Sequence, residues 1–277
     1  MFKTCLNTST ISGYKLSLSD EIEIVARAGY DAIEPWISEL EAHENAGGKL
    51  EDLGQKAKDL GISFQGAIGF FDWIVDDDAQ RAAALETARR DMDKVARVGG
   101  SLIAAPPMGA VETSGLDLFR AAERYSALCD LGAEFGVRPL VEVWGFSKTL
   151  SRLGEAAFVA IESGHPNAGI LADVYHLYKG GSPNNGLSLL NGKQLPIFHV
   201  NDYPAGFTPD KIVDADRVYP GDGVAPLRDV LDLLEGIGFD GYLSVELFNP
   251  EYWKSDAFDT ARTALEKLKG VLAPANS

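Results

Sequence analysis

The fold is indicated most directly by residues 169–176, GILADVYH. Four small or apolar residues, Gly169 to Ala172, lead directly to Asp173, and His176 follows three positions later. A short apolar run of this kind is typical of a strand buried on both faces of a parallel sheet. A carboxylate and an imidazole where such a strand ends indicate a functional site at the carboxyl end of that sheet.

The same pattern occurs in three other segments of the chain. Glu142 ends the apolar run in PLVEVW, His199 ends the one in PIFHVND, and Glu246 ends the one in YLSVELF. A single polar residue at a strand end needs no function. Four of them, all of a type that ligates metals, predict a shared site.

Strand and helix patterns alternate about eight times along the chain. Junctions such as RAGYDAIE and EFGVRPLVE place a glycine just after a helix and an apolar run soon afterwards. This alternation predicts an α/β protein, a single (β/α)8 TIM barrel, with residues 1–277 as one domain. Glu142, Asp173, His199 and Glu246 then lie on strands five to eight. The alternative is an open doubly wound sheet, which is weakened because no Gly-x-Gly-x-x-Gly follows the first strand.

Composition limits the classes of partner. The formal net charge of −16 disfavours a nucleic-acid or anionic-membrane partner, since binding phosphate polymers needs clustered Lys and Arg. Cys5 and Cys129 are the only cysteines, and no segment is typical of a signal peptide or a membrane span. We therefore expect a cytoplasmic protein that acts on a small molecule.

The four strand-end residues form a plausible metal-ligand set. Three carboxylates and one imidazole suit one hard or borderline divalent ion, Mn²⁺ or Mg²⁺ before Zn²⁺ or Co²⁺. The ion would also relieve repulsion among the carboxylates. The alternative is that two or more of the four residues form ion pairs with Arg or Lys between strands.

The ordered set Glu142, Asp173-x-x-His176, FHVND with His199, and SVELF with Glu246 resembles the xylose isomerase-like TIM barrel family. Its sugar isomerase/epimerase branch includes ketose 3-epimerases, hydroxypyruvate isomerase, inosose dehydratase and 3-dehydroshikimate dehydratase. The resemblance implies that Glu142, Asp173, His199 and Glu246 bind one divalent ion and that the two glutamates flank the reacting carbon. It also implies substrate contacts from His176 and from Arg217 in RVYPGDG, and it makes a homodimer or homotetramer plausible.

Chemical logic leads to the same reaction. Removing a proton α to a carbonyl gives an enediolate, whose charge a metal stabilises, and a carboxylate must reach the C–H bond. We expect a sugar or polyol isomerase or epimerase with Glu142 and Glu246 as the acid/base pair. The alternative is a dehydratase or lyase that eliminates a β-hydroxyl from a keto-sugar or keto-inositol at the same site.

Other residues and functions carry less weight. Glu34, at the end of strand two, is predicted to contact substrate, with a structural ion pair as an equal alternative. Trp144 belongs to a set of loop aromatics that suits stacking on a sugar, and the run Phe70–Trp73 is a candidate lid. A zinc-dependent DNA-repair endonuclease is disfavoured by the charge and by the few histidines, and an inactive sugar-binding barrel requires an assay to exclude.

Overall fold

The computed structural model describes residues 2–273. Its strands are all parallel and form one sheet in the order β3-β2-β1-β9-β8-β7-β6-β5-β4. The strands are Lys3–Asn7 (β1), Ala32–Glu34 (β2), Ser63–Phe64 (β3), Gly66–Ala67 (β4), Leu102–Ala105 (β5), Arg138–Glu142 (β6), Ile170–Asp173 (β7), Ile197–Val200 (β8) and Tyr242–Val245 (β9).

The two edge strands of this sheet, β3 and β4, are consecutive in the sequence. Only Gln65 separates β3 from β4. Its N–H donates to the Ile33 carbonyl on β2 at 3.2 Å, and its carbonyl accepts from the Leu102 N–H on β5 at 3.0 Å. The sheet therefore closes on itself, and β3 and β4 share one of eight strand positions. The TIM barrel prediction is confirmed, and the open-sheet alternative is wrong.

Helices follow most of the strands and cover the outside of the barrel. The two short helices over residues 37–45 and 174–179 lack a strong helical pattern and were not expected from the sequence. Gly29 and Gly136 end the helices over residues 18–28 and 118–135 in the left-handed region, with φ of 92° and 68°, as the junction pattern predicts. No helix within residues 2–273 is both long and apolar enough to cross a membrane. The α-helices are Leu18–Ala28 (α1), Ile37–Asn45 (α2), Leu50–Asp59 (α3), Asp78–Arg97 (α4), Leu118–Phe135 (α5), Leu153–Glu162 (α6), Val174–Lys179 (α7), Leu227–Gly236 (α8) and Ala257–Leu272 (α9).

The barrel interior is apolar toward the amino ends of the strands and polar toward their carboxyl ends. Small and branched residues fill the apolar layer, among them Cys5, Ala32, Ala104 and Leu171. A second, larger cluster packs the helices against the outside of the sheet. The polar layer above the apolar one holds the predicted site residues, so the core supports the site from below.

One buried carboxyl lies away from this polar layer. Glu21 on α1 is only 1% exposed, and its Oε2 has no hydrogen-bond partner. Burial, together with the charge of Glu39 on α2, raises the pKa of Glu21 to about 9. The folded protein thus keeps this proton at neutral pH, whereas the unfolded chain loses it near the ordinary value of 4.5. The folded state is therefore favoured most below about pH 4.5, and this contribution is lost as the pH rises toward 9.

Glu21→Gln should stabilise the protein in a pH-dependent way. Because Gln carries no ionisable proton, we expect the free energy of unfolding to rise by about 2–4 kcal/mol at pH 8 and by less than about 1 kcal/mol at pH 5. Urea unfolding at the two pH values measures this. The control is Glu23→Gln on the same helix, an exposed residue paired with Lys56 at 2.6 Å. Equal effects of Glu21→Gln at both pH values would contradict the assignment.

Candidate functional site

Three of the four strand-end residues converge at the carboxyl end of the barrel. Asp173 ends β7 and pairs in register with His199 on β8, while Glu246 directly follows β9. Each has a donor atom within 4.8 Å of those of the other two, and all three side chains are buried. Residues in register on parallel strands point to the same face, which explains why they meet inside the barrel.

His199 is held at one ring nitrogen and free at the other. Its Nε2 lies 2.9 Å from Glu34 Oε2. Its Nδ1 has no hydrogen-bond partner, although it lies 3.2 Å from Glu246 Oε2 and 3.8 Å from Asp173 Oδ2. Burial disfavours the charged ring, but the charges of Glu246 and Glu34 outweigh it and raise the pKa of His199 well above its ordinary value. The site therefore attracts positive charge at Nδ1.

Glu34 lies behind His199 and outside the set of residues that line the cavity. Its Oε2 accepts hydrogen bonds from Asn7 Nδ2 at 3.0 Å and Ser244 Oγ at 2.8 Å, in addition to the His199 contact. Burial opposes ionisation, but these partners, His199 first, lower the pKa of Glu34. Of the two roles that the sequence left equal, the geometry favours the structural ion pair over direct substrate contact.

Arg217 reaches the centre of the site from the loop after β8. Its Nη1 donates to Asp173 Oδ2 at 3.0 Å and to Glu246 Oε2 at 2.8 Å, and its Nη2 donates to Asp214. Although burial alone would raise it, this guanidinium lowers the pKa of Asp173 to about 2. Two of the four predicted ligands are thus ion-paired to one arginine, which is the arrangement that the ion-pair alternative describes. That alternative leaves Glu142 Oε2 without a partner.

Asp202 anchors the loop that carries Arg217. A bridge between Asp202 and Val218 ties the start of the loop to its middle. A Cβ at Gly223 would collide with the Asp202 carboxylate, so this turn requires glycine. The Asp202 carboxylate accepts hydrogen bonds from four backbone N–H groups, those of Tyr203, Gly221, Gly223 and Ala225.

Glu142 and His176 complete the polar side of the site. Glu142 ends β6, is 4% exposed, and its Oε2 has no hydrogen-bond partner. Burial raises the pKa of Glu142 to about 8, with the charge of His199 opposing the shift and that of Glu246 adding to it. Burial also lowers the pKa of His176 to about 4, and its Nδ1 accepts from the Gly145 N–H at 3.3 Å. Near neutral pH, His176 is an uncharged ring.

These residues surround a cavity of about 210 Å³. One side is polar and the other consists of aromatic rings from four different loops. Of the candidate lid, only Phe70 faces the cavity, since Phe71 and Trp73 are buried in the core. The polar lining residues are Glu142, His176, Asp214, Arg217 and Glu246, and the apolar ones are Trp36, Ile68, Phe70, Trp144, Phe146 and Phe248.

Sequence reasoning missed two polar residues of the site. Asn201 Nδ2 donates to both oxygens of Asp173, at 3.1 and 3.0 Å. A signal for it existed, because Asn201 lies two residues after His199 and so on the same face of the strand. Asp214 begins a short 3-10 turn and lies three residues before Arg217, so its spacing from that arginine was the signal for it.

Comparison with known proteins assigns the family. Residues 22–271 match the xylose isomerase-like TIM barrel family. The chain belongs to this family. It is 29% identical to an inosose isomerase of Bacillus licheniformis over 98% of both chains, and 24% identical to a 3-dehydroshikimate dehydratase of Pseudomonas aeruginosa over 95% of this chain and 40% of that one. A solved structure, an IOLI protein with a bound zinc atom, has a TM-score of 0.88 at 24% identity and covers 98% of both chains.

These relatives are enzymes, and their names include inosose isomerase, 3-dehydroshikimate dehydratase and fructoselysine 3-epimerase. The resemblance inferred from the motifs is therefore confirmed, both for the family and for its sugar isomerase/epimerase branch. A buried Asp, His and Glu group that can hold a metal accompanies the family assignment.

Proposed function

We propose that this protein is a divalent-metal-dependent isomerase or epimerase of a sugar or polyol. The reaction would proceed by proton abstraction α to a carbonyl, through an enediolate. The observation that carries the proposal is the convergence of Asp173, His199 and Glu246 donor atoms within 4.8 Å, beside the unpartnered oxygen of Glu142. The names of the full-length relatives support the same reaction class.

The donor set fits a divalent cation. Asp173, Glu246 and the unpartnered Nδ1 of His199 supply two carboxylates and one imidazole, and Glu142 is proposed as a fourth ligand from the same cavity. A set dominated by carboxylates favours Mn²⁺ or Mg²⁺, with Co²⁺ or Zn²⁺ as alternatives. A cation here would share the Asp173 and Glu246 oxygens with Arg217 Nη1 or displace it.

Glu142 and Glu246 are proposed as the acid/base pair. A bound divalent ion would polarise the substrate carbonyl and stabilise the negative charge that follows proton removal. Glu142 would remove the carbon-bound proton, because its carboxyl lines the cavity and its Oε2 has no hydrogen-bond partner. Glu246 would take a proton from solvent and deliver it to the opposite face or to the neighbouring carbon, and Glu142 would release its proton to solvent.

The remaining lining residues are proposed to bind the substrate. His176 and Arg217 line the cavity and would contact substrate oxygens, and Trp144 would pack against the substrate's C–H bonds. Glu34, which the sequence predicted to contact substrate or to form an ion pair, is better placed to orient His199.

A dehydratase is the second candidate function. The 3-dehydroshikimate dehydratase relative supports it, since elimination begins with the same proton abstraction. The two reactions differ in whether a hydroxyl β to the carbanion leaves.

Substituting either glutamate should abolish proton exchange. We expect Glu142→Gln and Glu246→Gln to lower the rate at saturating Mn²⁺ by about 10²–10⁴-fold, because an amide cannot accept the proton. Deuterium incorporation from D₂O into a panel of ketoses and inososes, followed by NMR, measures this. Exchange without a new enone absorbance supports the isomerase, and enone formation supports the dehydratase.

Glu112→Gln is the matched control for that experiment. This exposed glutamate pairs with Lys148 at 2.8 Å on the surface, and its substitution should leave the rate unchanged. Near-normal exchange in either the Glu142 or the Glu246 variant would contradict the two-glutamate mechanism.

Glu34→Gln should weaken metal binding. Because the carboxylate orients the His199 ring and increases its basicity, we expect the Kd for Mn²⁺ to rise about 10–100-fold. Calorimetric titration of the metal-free protein measures this without any substrate. Ser244→Ala is the control, since it removes one hydrogen bond to Glu34 and leaves the His199 contact in place. An unchanged Kd in Glu34→Gln would show that this carboxylate does not support a metal ligand.

We also propose that the chain works as a single domain in the cytoplasm, as a dimer or tetramer, without a nucleic-acid or membrane partner. The location is supported by Cys5 and Cys129, which are both buried and unpaired. The partner class is supported by the strongly negative charge.

A further inference from the structure

The charges around the cavity point to the kind of substrate it accepts. Within residues 2–273, Arg217 is the one lysine or arginine that lines the cavity, whereas Glu142, Asp214 and Glu246 line it with carboxylates. Asp173 adds a fourth carboxylate in direct contact with Arg217, at 3.0 Å. The cavity is therefore poor in positive charge.

Both terminal nitrogens of Arg217 already have partners. Its Nη1 is shared between Asp173 and Glu246, and its Nη2 binds Asp214 and lies 3.3 Å from His176 Nε2. Only the buried Nε has no hydrogen-bond partner. The guanidinium also lies between two rings, 4.2 Å from the centre of Tyr175 and 5.0 Å from that of Phe248. A phosphate or carboxylate on the substrate that bound both terminal nitrogens would have to displace these carboxylates.

The other cationic candidates near the cavity are also engaged. Lys148, in the loop after β6, pairs with Glu112, and Lys179 at the end of α7 donates to the Ile212 carbonyl at 2.6 Å. His176 accepts from the Gly145 N–H and has its other nitrogen facing Arg217, so both nitrogens meet N–H donors. This environment disfavours an imidazolium that could bind an anion.

A metal ion does not reverse this balance. A divalent cation and Arg217 together supply three positive charges against the four carboxylates of Glu142, Asp173, Asp214 and Glu246. Transfer of a proton from carbon to Glu142 creates one negative charge on the substrate and removes one from the protein. An uncharged substrate therefore reacts with the local charge unchanged, whereas an anionic group would add an uncompensated charge.

The aromatic side of the cavity also disfavours an anionic substrate. Trp36, Phe70, Trp144 and Phe146 form a continuous row with neighbouring ring centres 5.0–6.1 Å apart. Such a surface suits the C–H face of a polyhydroxy compound. Removing water from a phosphate in order to place it against these rings would cost free energy. The volume of about 210 Å³ lies below the roughly 300–1,000 Å³ of drug-sized sites, which suits one small molecule.

We propose that the substrate is an uncharged polyhydroxy ketone or aldehyde that carries neither phosphate nor carboxylate. This inference rests on the proposed function, since it concerns the same cavity. The proposal excludes keto acids and sugar phosphates as substrates, whereas the family assignment alone leaves both open.

Ligand binding to the Mn²⁺-loaded protein tests the proposal. Calorimetric titrations would compare D-fructose and an inosose with D-fructose 1-phosphate, D-fructose 6-phosphate and 3-dehydroshikimate. We expect a neutral compound to bind at least 10-fold more tightly than every anionic one, with less than a twofold change in Kd between 50 and 300 mM NaCl. Tighter or equal binding of an anion, or binding of no neutral compound, overturns the proposal.

A rim substitution provides a second measurement. Phe146 is 43% exposed at the cavity entrance. Phe146→Arg should bind the fructose phosphates at least 10-fold more tightly than Phe146→Gln, because only the former adds a positive charge, while both bind D-fructose within threefold of each other. Equal phosphate affinity in the two variants would overturn the charge argument. Failure of the proposed function looks different, since the neutral ligand would bind without any proton exchange.

Discussion

Four carboxylates, those of Glu34, Glu142, Asp173 and Glu246, are buried at one end of the barrel, and the rest of the site depends on how their charge is balanced. Burying an unpaired carboxylate costs several kcal/mol, so each one requires a partner or a proton. Glu34 has His199, Asp173 and Glu246 have Arg217, and Glu142 has no hydrogen-bond partner at Oε2 and a pKa raised by burial. The site is stable as folded, yet it retains capacity for a further positive charge.

The barrel creates this concentration of charge through strand register. Asn7 pairs with Glu34, Asp173 with His199, and His199 with Ser244 across neighbouring parallel strands. Their side chains therefore form a ring inside the barrel, above an apolar layer that keeps water out from below. The rim consists of loops, and Asp202 fixes the one that carries Arg217. The strand ends hold the proposed ligands, and the loops shape the cavity.

Sequence was most informative where a residue ended an apolar run. Asp173, His199 and Glu246 were predicted to meet because parallel strands end at the same edge, and they do meet. The target of each polar group was harder to predict: Glu34 faces His199 instead of the cavity, and Arg217 contacts the proposed ligands themselves. Such contacts depend on rotamers and on loop paths of low periodicity. The helix α2 and the interruption at Gln65 were not predicted for the same reason. The inward packing of Phe71 and Trp73 was not predicted because a run of aromatic residues is compatible with exposure and with burial equally.

The central claim is that one cation occupies the space between Asp173, His199 and Glu246. Anomalous diffraction from a crystal soaked in Mn²⁺ tests it most directly, because it locates the ion independently of any substrate or assay. The account predicts one strong peak bonded to both carboxylates and to Nδ1 of His199, with the Arg217 guanidinium shifted or sharing their oxygens. Absence of a peak at saturating Mn²⁺, with Arg217 still joined to Asp173 and Glu246, would contradict it.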